Sequence, residues 1–258
     1  MSAGFFALPP GYEAIDIGGA QLAALSSLVG PVREALAGGS LYHWAAGRAG
    51  ARALAGRGIA WATTLPNGTE VVVRHSRHGG LLAPFTGDLF LAPSRAPQEL
   101  ATAVRLARAG VATPELAVCA VYPAFGVFCR ADVATRTLKG ADFPAAWRAA
   151  ADEPARHAIL DATATLLRAM QRAGAAHADL NLKNVFLTGA GTQATAFVLD
   201  VDRIAFGASD DPTVAGRNIA RLVRSARKWR DREGLAVTES HLLRLAAGAG
   251  ARPSRRDA

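Results

Sequence analysis

Residues 177–184 read His-Ala-Asp-Leu-Asn-Leu-Lys-Asn and hold the chain's dense cluster of carboxylate and amide groups, with a base beside them. Asp179 follows an apolar helical pattern that ends at Gly174, so it falls in a loop where a carboxylate can take up a proton. Asn184 comes five residues later, and a short hairpin pattern, "NVFL" then "TGAGTQ" then "AFVLDV", leads on to Asp200 and Asp202. Such a hairpin can bring an amide oxygen and a carboxylate close together. Oxygen donors of this kind suit Mg²⁺, which takes one or two carboxylates alongside substrate phosphates. The equipment is that of phosphoryl transfer: one carboxylate orients and deprotonates an accepting hydroxyl, while an Asn and an Asp hold the metal that neutralises a triphosphate. A polar loop with stray acids is the plainer alternative.

Spacing favours the chemical reading. His177, Asp179, Leu180 and Asn184 fall in register with the protein-kinase pattern H-R-D-L-x-x-x-N, and Asp200 takes the place of the aspartate in D-F-G. The first half should then clamp a nucleotide. Gly56 and Gly58 flank Arg57 at the start of a strand, where backbone amides can approach phosphates because glycine lacks a Cβ. An ordinary turn explains that pair equally well. Arg74 ends the run Val71-Val72-Val73, in the position of the strand lysine of V-A-I-K, and Glu99 lies on the next helix. Arginine and glutamate there can form a bidentate pair, though a surface ion pair would look the same in sequence.

The elements that must position these groups can be read from period and punctuation. Residues 20–29, "AQLAALSSLV", read as a helix stopped by Gly30-Pro31. Residues 58–75 alternate around "PNG" and predict a β-hairpin. A helix is expected over 96–110, with Pro97 in its first turn and Gly110 at its end. "LAVCAVYP" and "FGVFCRADV" read as a second strand pair. Residues 152–174 predict a helix capped by Asp152, with Ile159, Leu160, Thr163, Leu166, Leu167 and Met170 on one face. Further helices are expected over 213–231 and 238–247, followed by a basic tail. The strands and helices are segregated. That predicts an α+β, protein-kinase-like bilobal fold: a β-rich N-lobe with one helix over 1–134 that clamps nucleotide, a linker near 134–142, and a helix-rich catalytic C-lobe over 135–258.

Bulk properties fit this frame. The 258 residues carry a net charge of +8 and are half apolar, which indicates a folded globular chain with some bias towards anionic partners. An Arg- and Ala-rich composition accounts for the charge equally well. No nucleic-acid reader motif is present. Cys119 and Cys129 lie in apolar β-type runs and are expected as buried reduced thiols. The opening segment lacks a basic n-region and no apolar run has membrane-span length, so the chain is expected to be soluble or peripheral to a membrane.

The stretches "GRG" (56–58), "VVVRHSRHGGLL" (71–82), "FCRADVATRTLKGA" (128–141), "HADLNLKNVFL" (177–187) and "VLDVDRIAF" (198–206) together resemble the lipopolysaccharide kinase (Kdo/WaaP) family, over roughly residues 45–232. The Arg-His-x-Arg-x-Gly-Gly run and the D-x-D-R in place of D-F-G discriminate better than the catalytic loop. The resemblance implies ATP-dependent phosphorylation of a hydroxyl of 3-deoxy-D-manno-octulosonic acid (Kdo) on the lipid A–Kdo precursor, at the cytoplasmic face of a Gram-negative inner membrane. It implies Asp179 as base, Asn184 and Asp200 as Mg²⁺ ligands, Arg74 as the phosphate-contacting cation with Glu99 as its partner, and a hinge at residues 132–135 (Asp132, Val133 and Ala134 among them) that meets adenine. It also implies a monomer acting on a lipid-linked or small-molecule sugar, with no nucleic acid.

The sequence departs from the protein-kinase pattern in places. Asn181 stands where a catalytic lysine is usual, with Lys183 two residues on, and Asp202 replaces the glycine of D-F-G, leaving open which acid dominates metal binding. No A-P-E follows, and only 56 residues remain after Asp202, which disfavours a protein substrate. A heptose or other small-molecule hydroxyl as acceptor, or a catalytically degenerate binding protein, are the competing readings. Arg217, Arg221, Arg224 and Lys228 form a basic stripe opposite Ile219, Leu222, Ala226 and Trp229. A solvated face is its usual meaning and an anionic membrane surface is the functional one. Arg77 and His78, beside Gly79-Gly80, are candidates for a sugar-acid carboxylate.

Overall fold

The computed structural model describes residues 8–54, 58–77, 87–92 and 94–250. The chain divides into two compact units, Met1–Val104 with Glu115–Thr137, and Arg105–Pro114 with Leu138–Ala258. Residues 105–114 join the second unit, so the helix Ala96–Arg108 counts with the first only as far as Val104.

The first unit is built on an eight-stranded antiparallel sheet. Its elements in chain order are β1 (Tyr12–Ile17), β2 (Ala20–Leu25), α1 (Val29–Ala35), α2 (Leu41–Ala46), β3 (Arg52–Leu54), β4 (Ala60–Thr64), β5 (Glu70–His75), β6 (Phe90–Leu91), α3 (Ala96–Arg108), β7 (Leu116–Pro123) and β8 (Phe128–Arg136). The sheet order is β1-β2-β7-β8-β5-β4-β3, with β6 added to β8. The hairpin expected over 58–75 is present as β4 and β5, with Ala60 opposite Arg74 and Thr64 opposite Glu70. Gly68 sits in its turn at φ +86°, where a side chain would be strained. The core gathers Ile15, Leu22, Leu28, Val32, Leu41, Leu65, Val71, Val73 and Val118.

Residues 20–25 correct the sequence reading: they form a strand, not a helix. Ala, Gln and Leu favour helices in isolation, but Ala20–Leu25 lies between β1 and β7 and pairs with both. Its residues are largely buried, and the pairing partners, not local propensity, decide the conformation. Pro31 does not stop a helix either. It stands in the first turn of α1, where its missing N–H is harmless.

The second unit contains β9 (Gly140–Asp142), α4 (Phe143–Ala149), α5 (Glu153–Arg172), β10 (Ala175–His177), β11 (Val185–Thr188), β12 (Thr195–Val198), β13 (Ile204–Phe206), α6 (Pro212–Glu233) and α7 (Glu239–Gly248). β12, β11 and β9 make one small antiparallel sheet, and β10 pairs with β13. Asp152 caps α5 as expected, accepting the Ala155 N–H at 2.8 Å. All six predicted inward residues of α5 are buried. Gly174 ends that helix at φ +65°, and a Cβ there would stand 2.5 Å from the Gly207 carbonyl oxygen. Only glycine lets the chain pass β13 so closely on its way into His177. Cys119 and Cys129 are free and buried.

Candidate active site

Helix α6 holds the loop at both ends. The Asn218 side chain, wholly buried, accepts the His177 N–H at 3.1 Å and donates to the Ala175 carbonyl at 2.9 Å. Two turns further along, Ser225 Oγ accepts the Leu182 N–H at 3.1 Å. Each such bond contributes about 0.5–1.5 kcal/mol, and leaving a buried backbone group unpaired costs more. The loop is therefore fixed to a rigid element at two points.

Between those points a closed circuit of hydrogen bonds ties the candidate residues together. The Asp179 N–H donates to His177 Nδ1 at 3.1 Å. Because Nδ1 accepts, the ring proton sits on Nε2, which donates to the Leu199 carbonyl at 3.1 Å. The Leu199 N–H donates to the Asn184 carbonyl at 2.9 Å. The Asn184 amide nitrogen returns to the Asp179 carbonyl at 2.9 Å. His177 is wholly buried, and burial lowers its pKa below the ordinary 6.5 even though Asp200, Asp179 and Asp202 pull the other way. The neutral tautomer is the one this circuit needs. Through the Leu199 carbonyl and N–H, the residue just before Asp200 is tied to both His177 and Asn184.

Asp200 adopts the left-handed conformation, φ +54° and ψ 50°, uncommon for a residue with a side chain and concentrated at functional sites. Its carboxylate is exposed and has no hydrogen-bond or ion-pair partner among the described residues. Asp202 is half-buried and only loosely paired, with Arg203 Nε at 3.7 Å. The Asn184 amide nitrogen is occupied by Asp179, which leaves its oxygen as the free donor atom type. Two carboxylates and one amide oxygen are a hard-oxygen set that fits Mg²⁺.

Asn181 and Lys183 take local structural tasks. Asn181 donates to the Asp179 carbonyl at 3.0 Å and accepts the Lys183 N–H at 2.9 Å. Lys183 Nζ lies 2.6 Å from Asp142, whose other oxygen caps α4 at the Ala145 N–H. The sequence offered no signal for Asn218, Ser225 or Asp142 beyond their polarity.

In the first unit, Arg74 on β5 pairs directly with Glu99 on α3, as the spacing predicted. Glu99 is buried, and a buried carboxylate without a cation costs several kcal/mol, so the pair is more than a surface contact. Residues 132–134 correct the sequence reading. They lie in the middle of β8, with β5 on one side and β7 on the other. A central strand has its backbone N–H and C=O groups committed to both neighbours, so this stretch has none to offer adenine, and the strand runs on to Arg136. Gly56 and His78 lie outside the described residues, and Gly58 occupies an exposed bend.

One other cluster has metal-ligand chemistry: Glu153, His157 and His241, with donor atoms within 4.8 Å of one another. Its hydrogen bonds give it a structural role. His241 Nδ1 accepts the Thr238 N–H at 3.1 Å, so Nε2 carries the proton and donates to Glu153 at 2.8 Å. The imidazole thereby closes the N-terminal cap of α7 and ties it to α5.

The antiparallel sheet with its buried Arg–Glu pair and the helix-rich second unit make up a protein-kinase-like α+β fold. The comparisons narrow this. Residues 43–241 match the lipopolysaccharide kinase (Kdo/WaaP) family, and the chain belongs to that family. It is accordingly an ATP-dependent kinase acting on a hydroxyl. A 3-deoxy-D-manno-octulosonic acid kinase of Stenotrophomonas maltophilia (strain K279a) is 31% identical over 201 residues, covering 74% of each chain. The enzyme of that name from Xylella fastidiosa (strain 9a5c) is 31% identical over 209 residues, 78% of this chain and 79% of the relative. The counterpart from Vibrio parahaemolyticus is 26% identical over 199 residues. Among solved structures, WaaP in complex with acyl carrier protein superposes with a TM-score of 0.57, at 20% identity, over 86% of this chain and 87% of that one, which shows a shared fold. No helix among the described residues is long and apolar enough to cross a membrane.

Proposed function

We propose that this protein phosphorylates a hydroxyl of 3-deoxy-D-manno-octulosonic acid on a lipid A–Kdo precursor, with Mg·ATP as donor. The observation that carries the reading is the hydrogen-bond circuit through His177, which gathers Asp179, Asn184 and the start of the Asp200 turn. The acceptor is suggested by the relatives that bear this name over three quarters of the chain. Asp179 accepts the proton of the attacking hydroxyl. Asn184 and Asp200, with Asp202 beside them, would hold Mg²⁺, and the bound ion would supply charge neutralisation to the transferred phosphoryl group. Asn181 orients Asp179 through its carbonyl, and Lys183 braces the loop against Asp142. Arg74, steadied by Glu99, contacts the nucleotide phosphates.

Incubation with Mg·ATP and a panel of acceptors, read by mass spectrometry, tests this assignment. A gain of one phosphate on the Kdo-bearing lipid A precursor, and none on a heptose-bearing acceptor or a peptide, is the expected result. Phosphate on heptose alone would move the acceptor assignment.

The lipid-linked acceptor places the protein at the cytoplasmic face of the inner membrane, and α6 offers the means. Its inward face buries Ile219, Leu222 and Ala226. Arg217, Arg224 and Lys228 are exposed, Arg221 is half-buried, and none has an ion-pair partner among the described residues. Arg227 and Arg230, by contrast, both pair with Glu239, and Arg230 also with Asp231. Each free cation near an anionic bilayer contributes about 1 kcal/mol. Replacing Arg217, Arg221 and Arg224 by Glu should abolish cosedimentation with phosphatidylglycerol vesicles at low salt, with the fold intact. Undiminished sedimentation would remove α6 from the membrane account.

A further inference from the structure

The first unit carries a second group of polar residues that the assignments above leave unused. A cavity of about 740 Å³ opens there, lined by Tyr42, His75, Arg77, Asp88, Tyr122 and Arg130 and closed by the Ser40–His43 pair and by small and apolar residues around β2 and α2. Its size falls in the range of small-molecule sites.

The cavity wall is held from behind by Asp132. This carboxylate is wholly buried and accepts the Tyr42 N–H at 2.9 Å and His75 Nδ1 at 2.6 Å. The Tyr122 hydroxyl takes the Leu41 N–H at 2.9 Å. The His75 ring is thereby fixed with Nε2 on Asp88 at 3.0 Å, and the same Asp88 oxygen accepts Arg130 Nε at 2.8 Å. Burial alone would lower the His75 pKa, but Asp132 and Asp88 outweigh it and raise it above 6.5. Asp88 thus faces two cations. Arg77 brings a third guanidinium or imidazolium charge to the wall and has no partner among the described residues. Asp88 and Asp132 together offset His75 and Arg130, so Arg77 is the cation left over in this concave space, where a planar guanidinium recognises carboxylate or phosphate oxygens in pairs. The rings of Tyr42 and Tyr122 add flat walls with polar edges.

We propose that this cavity binds an oxyanion carried by a sugar-sized molecule, with Arg77, its one cation in excess of the carboxylates, as the primary contact and the charge-balanced His75–Asp88–Arg130–Asp132 network as the fixed wall that positions it. The ligand oxyanion is either the carboxylate of a sugar acid or a phosphate group. The proposal does not depend on the role given to Asp179.

Isothermal titration of the full chain tests it, with Mg²⁺ and a saturating non-hydrolysable ATP analogue present so that nucleotide-phosphate sites are filled. The titrants are free 3-deoxy-D-manno-octulosonic acid, inorganic phosphate and galactose. At least one anion should bind and the neutral sugar should not. Arg77→Ala should weaken that binding by roughly tenfold or more, and Arg130→Ala should weaken it as well, with unchanged thermal unfolding for the exposed Arg77 variant. Binding of the sugar acid alone identifies a carboxylate site, and binding of phosphate identifies a phosphate site; either supports the proposal. Absence of anion binding, equal binding of galactose, loss of binding on nucleotide saturation, or indifference to both substitutions would overturn it.

Discussion

An Asp179→Asn protein is expected to bind Mg·ATP as the native chain does and to transfer phosphate about 10²- to 10⁴-fold more slowly. Asparagine matches aspartate in shape. It leaves untouched the backbone bonds that define the loop, the Asp179 N–H on His177 and the Asp179 carbonyl under Asn181 and Asn184. Only the ability to take up the hydroxyl proton is removed. Single-turnover phosphate transfer and equilibrium nucleotide binding, measured side by side, separate the two quantities. Native turnover in this variant would mean that another group deprotonates the acceptor, and parallel loss of nucleotide binding would mean that Asp179 acts on the donor.

Asp200 gives the second large effect, and it separates stability from activity. Its left-handed backbone costs an ordinary residue about 1 kcal/mol or more. Glycine has no such penalty, and asparagine tolerates the conformation. Asp200→Gly and Asp200→Asn should therefore fold at least as stably as the native chain, or nearly so. Both should lose about 10²- to 10³-fold or more in turnover, because the carboxylate is gone from the metal set. Denaturant unfolding and steady-state rates read the two effects independently. If both variants stay active, Asp202 is the acid that matters, and Asp202→Asn should then show the loss.

The chemistry was more legible in the sequence than the architecture around it. The octapeptide at 177–184 and a possible Arg74–Glu99 contact stood out by spacing, since each places few residues at fixed offsets on elements with clear periods, although a surface ion pair would have looked the same in sequence. Helix α5 was readable for the same reason: a cap at Asp152 and an apolar stripe from Ile159 to Met170. The strand at Ala20–Leu25 was not, because its composition favours helix and its partners, β1 and β7, lie up to a hundred residues apart in sequence. The adenine hinge was placed inside β8 because the apolar run gives no sign of where pairing on both sides ends. The loop's supports, Asn218 and Ser225, look like any polar residues on a helix until their partners are known. The cavity of the first unit was almost invisible, since Tyr42, His75, Asp88, Tyr122 and Arg130 come from five separate segments. Arg77 alone was singled out by the sequence.

In the proposed function, Asn184 and Asp200 bind a divalent ion together with the nucleotide phosphates. Electron paramagnetic resonance of Mn²⁺, used in place of Mg²⁺ with a non-hydrolysable ATP analogue, measures this directly. The native chain and Asp179→Asn should both capture Mn²⁺ in the presence of nucleotide, while Asn184→Ala and Asp200→Asn should leave it in solution. Equal capture by all four proteins would contradict the assignment of this loop and hairpin as the metal site.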